Sequence, residues 1–164
     1  MKVKLLFILF TVLLLQGCSG FHLRDSADLS GKYKKIQLLG VPHEKALAEA
    51  LELAIEEAGG DVVDQANTKI KISNVREGKR VVAYTSERKA RVYLLFLKLN
   101  YIISLPHDGE GQSQSALNQR INLDKTFIYD ANFALGKAEE EVQIREKLYE
   151  EAARLILLSL KTSR

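Results

Sequence analysis

The 164-residue chain has one cysteine, three histidines and little net charge. A single thiol excludes an internal disulfide and any zinc site built on paired cysteines. His22, His43 and His107 stand at no ligand spacing from one another, from Cys18 or from a carboxylate, so neither a metal centre nor a histidine acid or base is expected. A glycine-rich phosphate loop and a nucleophile-elbow serine are both missing. The chain is therefore expected to be no enzyme and to carry no cofactor. Lys and Arg number 24 against 21 Asp and Glu, without the strongly basic face that nucleic-acid binding needs. Nor is there an apolar run of the roughly 20 residues that a membrane-spanning helix requires.

What is present begins at the N-terminus. Lys2 and Lys4 precede an apolar stretch over residues 5–15, and Leu15-Gln16-Gly17-Cys18 follows at once. A basic start, a short apolar core, a small residue at the cleavage point and then cysteine is the pattern of a bacterial lipoprotein signal. The Cys18 thiolate is the atom that would receive a diacylglyceryl group, residues 1–17 would be cut away, and the new amino terminus would be acylated. At about 0.8 kcal/mol per buried methylene, one acyl chain anchors marginally and two or more anchor stably. Three chains on Cys18 would hold the protein in the membrane. Ser19 stands where an inner-membrane retention signal of enterobacteria-like lipoproteins would have Asp, which directs the expectation to the outer membrane, with the body of the protein in the periplasm. Without Lys2 and Lys4 the mature chain is close to neutral.

Residues 18–32 are polar and show no sustained period, as a lipidated start and tether would. A single periplasmic domain is expected over 33–164. It opens with a short β run around Ile36, Leu38 and Leu39. Leu47, Ala50, Leu51, Ala54, Ile55 and Ala58 then recur at the spacing of one buried helix face, with Glu49, Glu52, Glu56 and Glu57 on the wet side. Gly59-Gly60 ends that helix. Ile70 and Ile72 alternate with Lys69, Lys71 and Ser73 in a strand expected to continue to Tyr84, with an irregularity at Gly78. A polar turn over 85–89 leads into residues 92–105, which are apolar on both faces. Tyr93, Leu95, Leu97, Leu99, Tyr101 and Ile103 form one row, and Val92, Leu94, Phe96 and Ile102 the other. The second row fits a partner surface or a central strand partly covered by loops.

A Gly, Ser and Gln-rich hairpin connection over 106–114 precedes a strand over 117–129. The last element is a helix from about 137 to 160, with Ile144, Leu148, Ala152, Leu155 and Ile156 inward. Glu139, Glu140 and Glu141 are placed at its positive end, where the helix dipole favours them. The order is βαβββα. An α+β two-layer sandwich follows, two helices packed on one face of a four-stranded mixed sheet.

At Cys18-Ser19-Gly20-Phe21-His22-Leu23-Arg24 the chain resembles the LptE family of lipopolysaccharide-assembly lipoproteins, whose mature start is Cys-Gly-(Phe or Trp)-His-Leu-Arg. Here Ser19 is an insertion. The likeness extends to the block 133–139 (Phe-Ala-Leu-Gly-Lys-Ala-Glu), to 145–149, and to Ala152-Ala153. It implies an outer-membrane lipoprotein that plugs the large β-barrel LptD, supports assembly of that barrel and binds lipopolysaccharide on its way to the cell surface. The family's ligand contacts are basic residues at the sheet tip and in the approach to the last helix. Lys137 matches the second by its place after Ala134-Leu135-Gly136. Arg88 and Lys89 are candidates at the tip by location and charge, since Thr85 aligns where a relative has Arg. The alternative is a purely structural lipoprotein of an outer-membrane assembly or export complex, with no glycolipid binding.

Overall fold

The computed structural model describes residues 29, 33–41, 45–105, 115–130 and 134–162. The elements are β1 (Lys35–Leu39), α1 (Lys45–Glu57), β2 (Asp61–Val62), β3 (Thr68–Tyr84), β4 (Ala90–Leu105), β5 (Ser115–Ile128) and α2 (Ala134–Thr162). The expected lipoprotein signal with Cys18, the histidines 22, 43 and 107, and the connection 106–114 lie outside the described residues.

The sheet has five strands in the order β2-β1-β3-β4-β5, not four. The extra strand is two residues long and runs parallel to β1, pairing Lys35 with Asp61 and Ile36 with Val62. So short a segment carries no readable period, and only its long-range pairing defines it. β1 is parallel to β3 across the crossover that contains α1, while β3, β4 and β5 are antiparallel in sequence. The sheet is therefore mixed, with both helices on one face, as the burial pattern shows. Leu47, Leu51 and Ile55 of α1 and Leu148, Ala152 and Ile156 of α2 are buried with Ile36, Ile70, Ile72, Leu95, Leu97, Leu99, Tyr101 and Ile103 of the sheet. Each large aliphatic side chain so buried contributes about 1.5–3 kcal/mol.

α1 stops as its glycines demand. Gly59 N donates to Glu56 O at 2.9 Å and Gly60 N to Ile55 O at 2.9 Å, the paired bonds that close a helix end and satisfy its last carbonyls. Leu29, within the stretch read as tether, is buried and donates its N–H to Ala58 O at 2.8 Å. Packing against the domain thus begins upstream of Tyr33.

The irregularity in β3 is not at Gly78. The register shifts between Ser73 and Arg76, where Asn74 has φ 55°, and again near Ala83. A bulge adds one unpaired residue, so the inward side changes from even-numbered residues (Ile70, Ile72) to odd-numbered ones (Glu77, Lys79) and Arg76, Gly78 and Arg80 face away from the helices. Gly78 stays in register opposite Phe96. A Cβ there would lie 2.8 Å from Phe96 Cζ, so glycine leaves room for the aromatic ring to lie over the strand.

α2 begins at Ala134, earlier than its apolar period indicates, and no acidic residue lies in its first turn. The acidic run 139–141 is therefore too far along the helix for the dipole to explain it, because that effect fades within one turn. Ion pairs account for Glu140 and Glu141 instead. Lys79 Nζ is 2.5 Å from Glu141 Oε2, and Arg145 Nη2 is 2.7 Å from Glu141 Oε1. Tyr149 donates its hydroxyl proton to Glu77. These contacts tie α2 to the far half of β3, beyond the bulge. Burial would raise the Glu141 carboxyl, but hydrogen bonds and charge from Lys79 and Arg145 outweigh it and hold it below the usual carboxylate range. Its stabilising contribution is complete above the ordinary carboxylate pKa and is lost as pH falls through the lowered one.

Candidate functional site

The hairpin tip joining β3 to β4 is built by local bonds. Arg88 N donates to Thr85 O at 2.9 Å, Thr85 N to Lys89 O at 2.8 Å, and Lys89 N to Thr85 Oγ1 at 3.2 Å. Arg88 closes this turn with φ 61°, the left-handed conformation that glycine adopts freely and that costs about 1–2 kcal/mol for a residue with a Cβ. A bulky cation held there at a stability cost points to a use for its charge. Lys89 Nζ is 3.0 Å from Glu87 Oε2, with both side chains more than two-thirds exposed, so this pair is worth little in water.

Lys137 sits near the start of α2, half-buried, its Nζ 2.5 Å from Glu140 Oε2. The tip and this helix start share one end of the domain, because Tyr129 N donates to Arg91 O at 2.7 Å and α2 begins just beyond. Lys137 pairs with Glu140 and Lys89 with Glu87, each within its own segment. The three candidate cations are thus on one end of the molecule but are not joined in a single cluster. A phosphate there would compete with Glu140 and Glu87 for the two lysines and would meet Arg88 as it stands. Exposed Val82, Tyr84 and Ile128 lie at the same end, giving it an apolar component.

The second feature is the face of the sheet opposite the helices. Val92, Leu94, Phe96 and Ile102 are only half-buried, and neither helix covers them. Phe96 rests on Gly78 rather than in the core. Cations that the sequence alone does not single out stand beside them: Arg76 and Arg80 on β3, Lys98 on β4 and Arg120 on β5. Alternation in β3 gives a partial signal through Lys69 and Lys71. The bulge at Asn74 and the register across three strands hide the rest. Among the described residues no group of His, Cys, Asp or Glu is placed to hold a metal ion, and no helix is long and apolar enough to cross a membrane.

The family described as LptE, lipopolysaccharide-assembly, matches residues 33–160 of the chain. An LPS-assembly lipoprotein LptE from Photorhabdus laumondii is 26% identical over 164 residues, covering 98% of this chain and 86% of the relative. Among solved structures, the rare lipoprotein B from Shewanella oneidensis superposes with a TM-score of 0.65 at 18% identity, covering 79% of this chain and 95% of its own. A minor lipoprotein from Acinetobacter baumannii gives a TM-score of 0.63 at 14% identity, over 80% and 93% of the two chains. These two likenesses show the fold, with its two helices and mixed sheet.

Proposed function

The chain belongs to the LptE family of lipopolysaccharide-assembly proteins, and from that premise we propose that it is a lipid-anchored plug and assembly partner of an LptD-type β-barrel that also contacts lipopolysaccharide. The observation that carries this reading is the family match across 33–160, which spans both helices but for the last residues of α2, and all five strands. The structure supports it in two ways. One sheet face is left without a helix, and a half-apolar sheet face needs a partner to cover it. One end of the domain combines Arg88, Lys89 and Lys137 with exposed Tyr84 and Ile128, the mixture of cations and apolar surface that a phosphorylated, acylated glycolipid requires. The anchor is the acylated Cys18, placing the domain on the periplasmic side of the outer membrane. Its work is binding and support, not catalysis.

The test separates a glycolipid binder from a plain plug. Replacing Lys137, Arg88 and Lys89 together by Gln should leave the fold intact, since Arg88 and Lys89 are exposed, Lys137 pairs among the described residues only within its own helix turn, and surface substitutions move stability by about 0.5 kcal/mol or less. Association with the barrel should persist. Each charge-assisted hydrogen bond to phosphate is worth about 1.5–3 kcal/mol, so removing two weakens lipopolysaccharide binding on the order of a hundredfold or more. Raised salt should imitate part of the loss. Unchanged affinity in the triple variant, with the barrel still bound, would favour the purely structural role.

A further inference from the structure

Away from the tip, the uncovered sheet face gathers cations that the sequence scatters. Arg76 on β3 pairs directly with Lys98 on β4. Two residues further along β4, Asn100 pairs with Arg120 on β5. Arg76, Lys98 and Arg120, with Asn74 and Asn100 between them, line a cleft of about 360 Å³. A neighbouring hollow of about 330 Å³ shares Asn100 and Arg120 and adds Asn118 and Gln119.

Like charges directly opposite one another in a sheet destabilise it, so the Arg76–Lys98 pair is a cost to the free protein. Carboxylates do not offset it. Among the described residues, no ion pair engages Arg76, Lys98 or Arg120. On this face Asp124, opposite Phe96, is the acid closest in register and makes no such pair; Glu77 faces the helices. Arg120 is already oriented, donating Nε–H to Asn100 Oδ1 at 3.2 Å, which leaves its terminal nitrogens for a ligand. The bulge at Asn74 sets Arg76 on this side of the sheet. Immediately up β4, Lys98 Nζ is 5.8 Å from the Phe96 ring centre, and Leu94 and Val92 continue the apolar row.

We infer that this cleft is a binding site for the phosphorylated sugar headgroup of an acylated amphiphile. The two arginines present the planar fork that matches phosphate oxygens, and Lys98 adds a point charge. Amides of Asn74, Asn100 and Asn118 both donate and accept, as sugar hydroxyls require, whereas the Gln119 amide is turned to the helix side and accepts from the Tyr101 hydroxyl. Phe96, Leu94 and Val92 give an acyl chain somewhere to lie. The inference rests on the proposed role in lipopolysaccharide handling and adds to it a second phosphate-binding region, on the sheet face and separate from Lys137, Arg88 and Lys89.

The experiment uses the full chain purified in nonionic detergent, with purified lipopolysaccharide, the same material treated with phosphatase, and inorganic phosphate as probes. The variant is Arg76→Gln/Lys98→Gln/Arg120→Gln, compared with Lys137→Gln/Arg88→Gln/Lys89→Gln. Removing facing cations should leave the sheet variant's melting temperature equal or higher, which shows that it folds. Its affinity for lipopolysaccharide should fall about tenfold or more for each phosphate-binding cation removed. Phosphatase-treated material should bind wild type and variant alike, and inorganic phosphate should bind wild type far more weakly than the glycolipid. Equal affinity of wild type and the sheet variant for lipopolysaccharide, with an effect confined to the tip variant, would overturn this inference and leave the proposed function standing. If wild type bound no lipopolysaccharide, both would fall. Inorganic phosphate binding as tightly as the glycolipid would make the cleft a free-anion site. Failure of the sheet variant to retain the barrel when extracted from envelopes in mild detergent, at unchanged glycolipid affinity, would make it a protein-docking surface, and either result overturns the assignment.

Discussion

Cys18→Ser is expected to abolish lipidation completely, leaving a chain that keeps residues 1–17 and takes up no palmitate. The thiolate is the nucleophile in the alkylation, and a serine hydroxyl is not ionised at periplasmic pH and cannot replace it. The chain has no second cysteine to substitute. With about 0.8 kcal/mol contributed by each buried methylene, loss of all acyl chains removes the anchor itself and not a fraction of it. Metabolic labelling with palmitate, together with fractionation of the envelope, checks this. Undiminished label on the variant would show that Cys18 is not the attachment site.

The second large effect belongs to the fold. Gly40, just past β1, has φ 76°, and a Cβ built there would overlap the carbonyl oxygen of Ile72. Both sides of that clash are backbone, so no rotamer change relieves it, and Ile72 sits in the buried part of β3. Gly40→Ala must push β1 off β3 or distort β3, and is expected to cost more than about 3 kcal/mol, a large share of the roughly 5–15 kcal/mol that holds a domain together. Gly136→Ala is the control. No atom lies within 4 Å of its would-be Cβ and it is within α2, so alanine there should stabilise by up to about 1 kcal/mol. Urea unfolding of the two variants beside wild type measures both, and a Gly40→Ala protein as stable as wild type would show that β1 does not approach β3 as described.

How much of this is legible in the sequence depends on the range of the interactions involved. α1 announces itself because Leu47, Leu51 and Ile55 repeat at helical spacing and Gly59-Gly60 follow. The two-sided apolarity of β4 is equally plain, and the structure shows the outer row half-buried with no helix over it. β2 is invisible, since two residues carry no period and their pairing partner lies on the far side of α1. The run 139–141 suggests a helix-dipole role only while α2 is taken to start near Lys137; of the partners of Glu141, Arg145 is local at i+4 on the same helix, and Lys79 is set by packing of α2 on β3. The same limit applies to the candidate sites. Lys137, Arg88 and Lys89 come from the family resemblance and from a turn that is local in sequence. Arg76, Lys98 and Arg120 meet only through the register of three strands and the bulge at Asn74, and no local pattern encodes that.

This lipoprotein is expected to work with an outer-membrane barrel in lipopolysaccharide assembly. Extraction of the full-length chain from envelopes in mild detergent, followed by mass identification of what is retained, checks this. The expected result is one LptD-type β-barrel in near-equal amount, whose mature form declines when this protein is depleted. Recovery of the chain without that barrel, with barrel maturation unchanged on depletion, would contradict it.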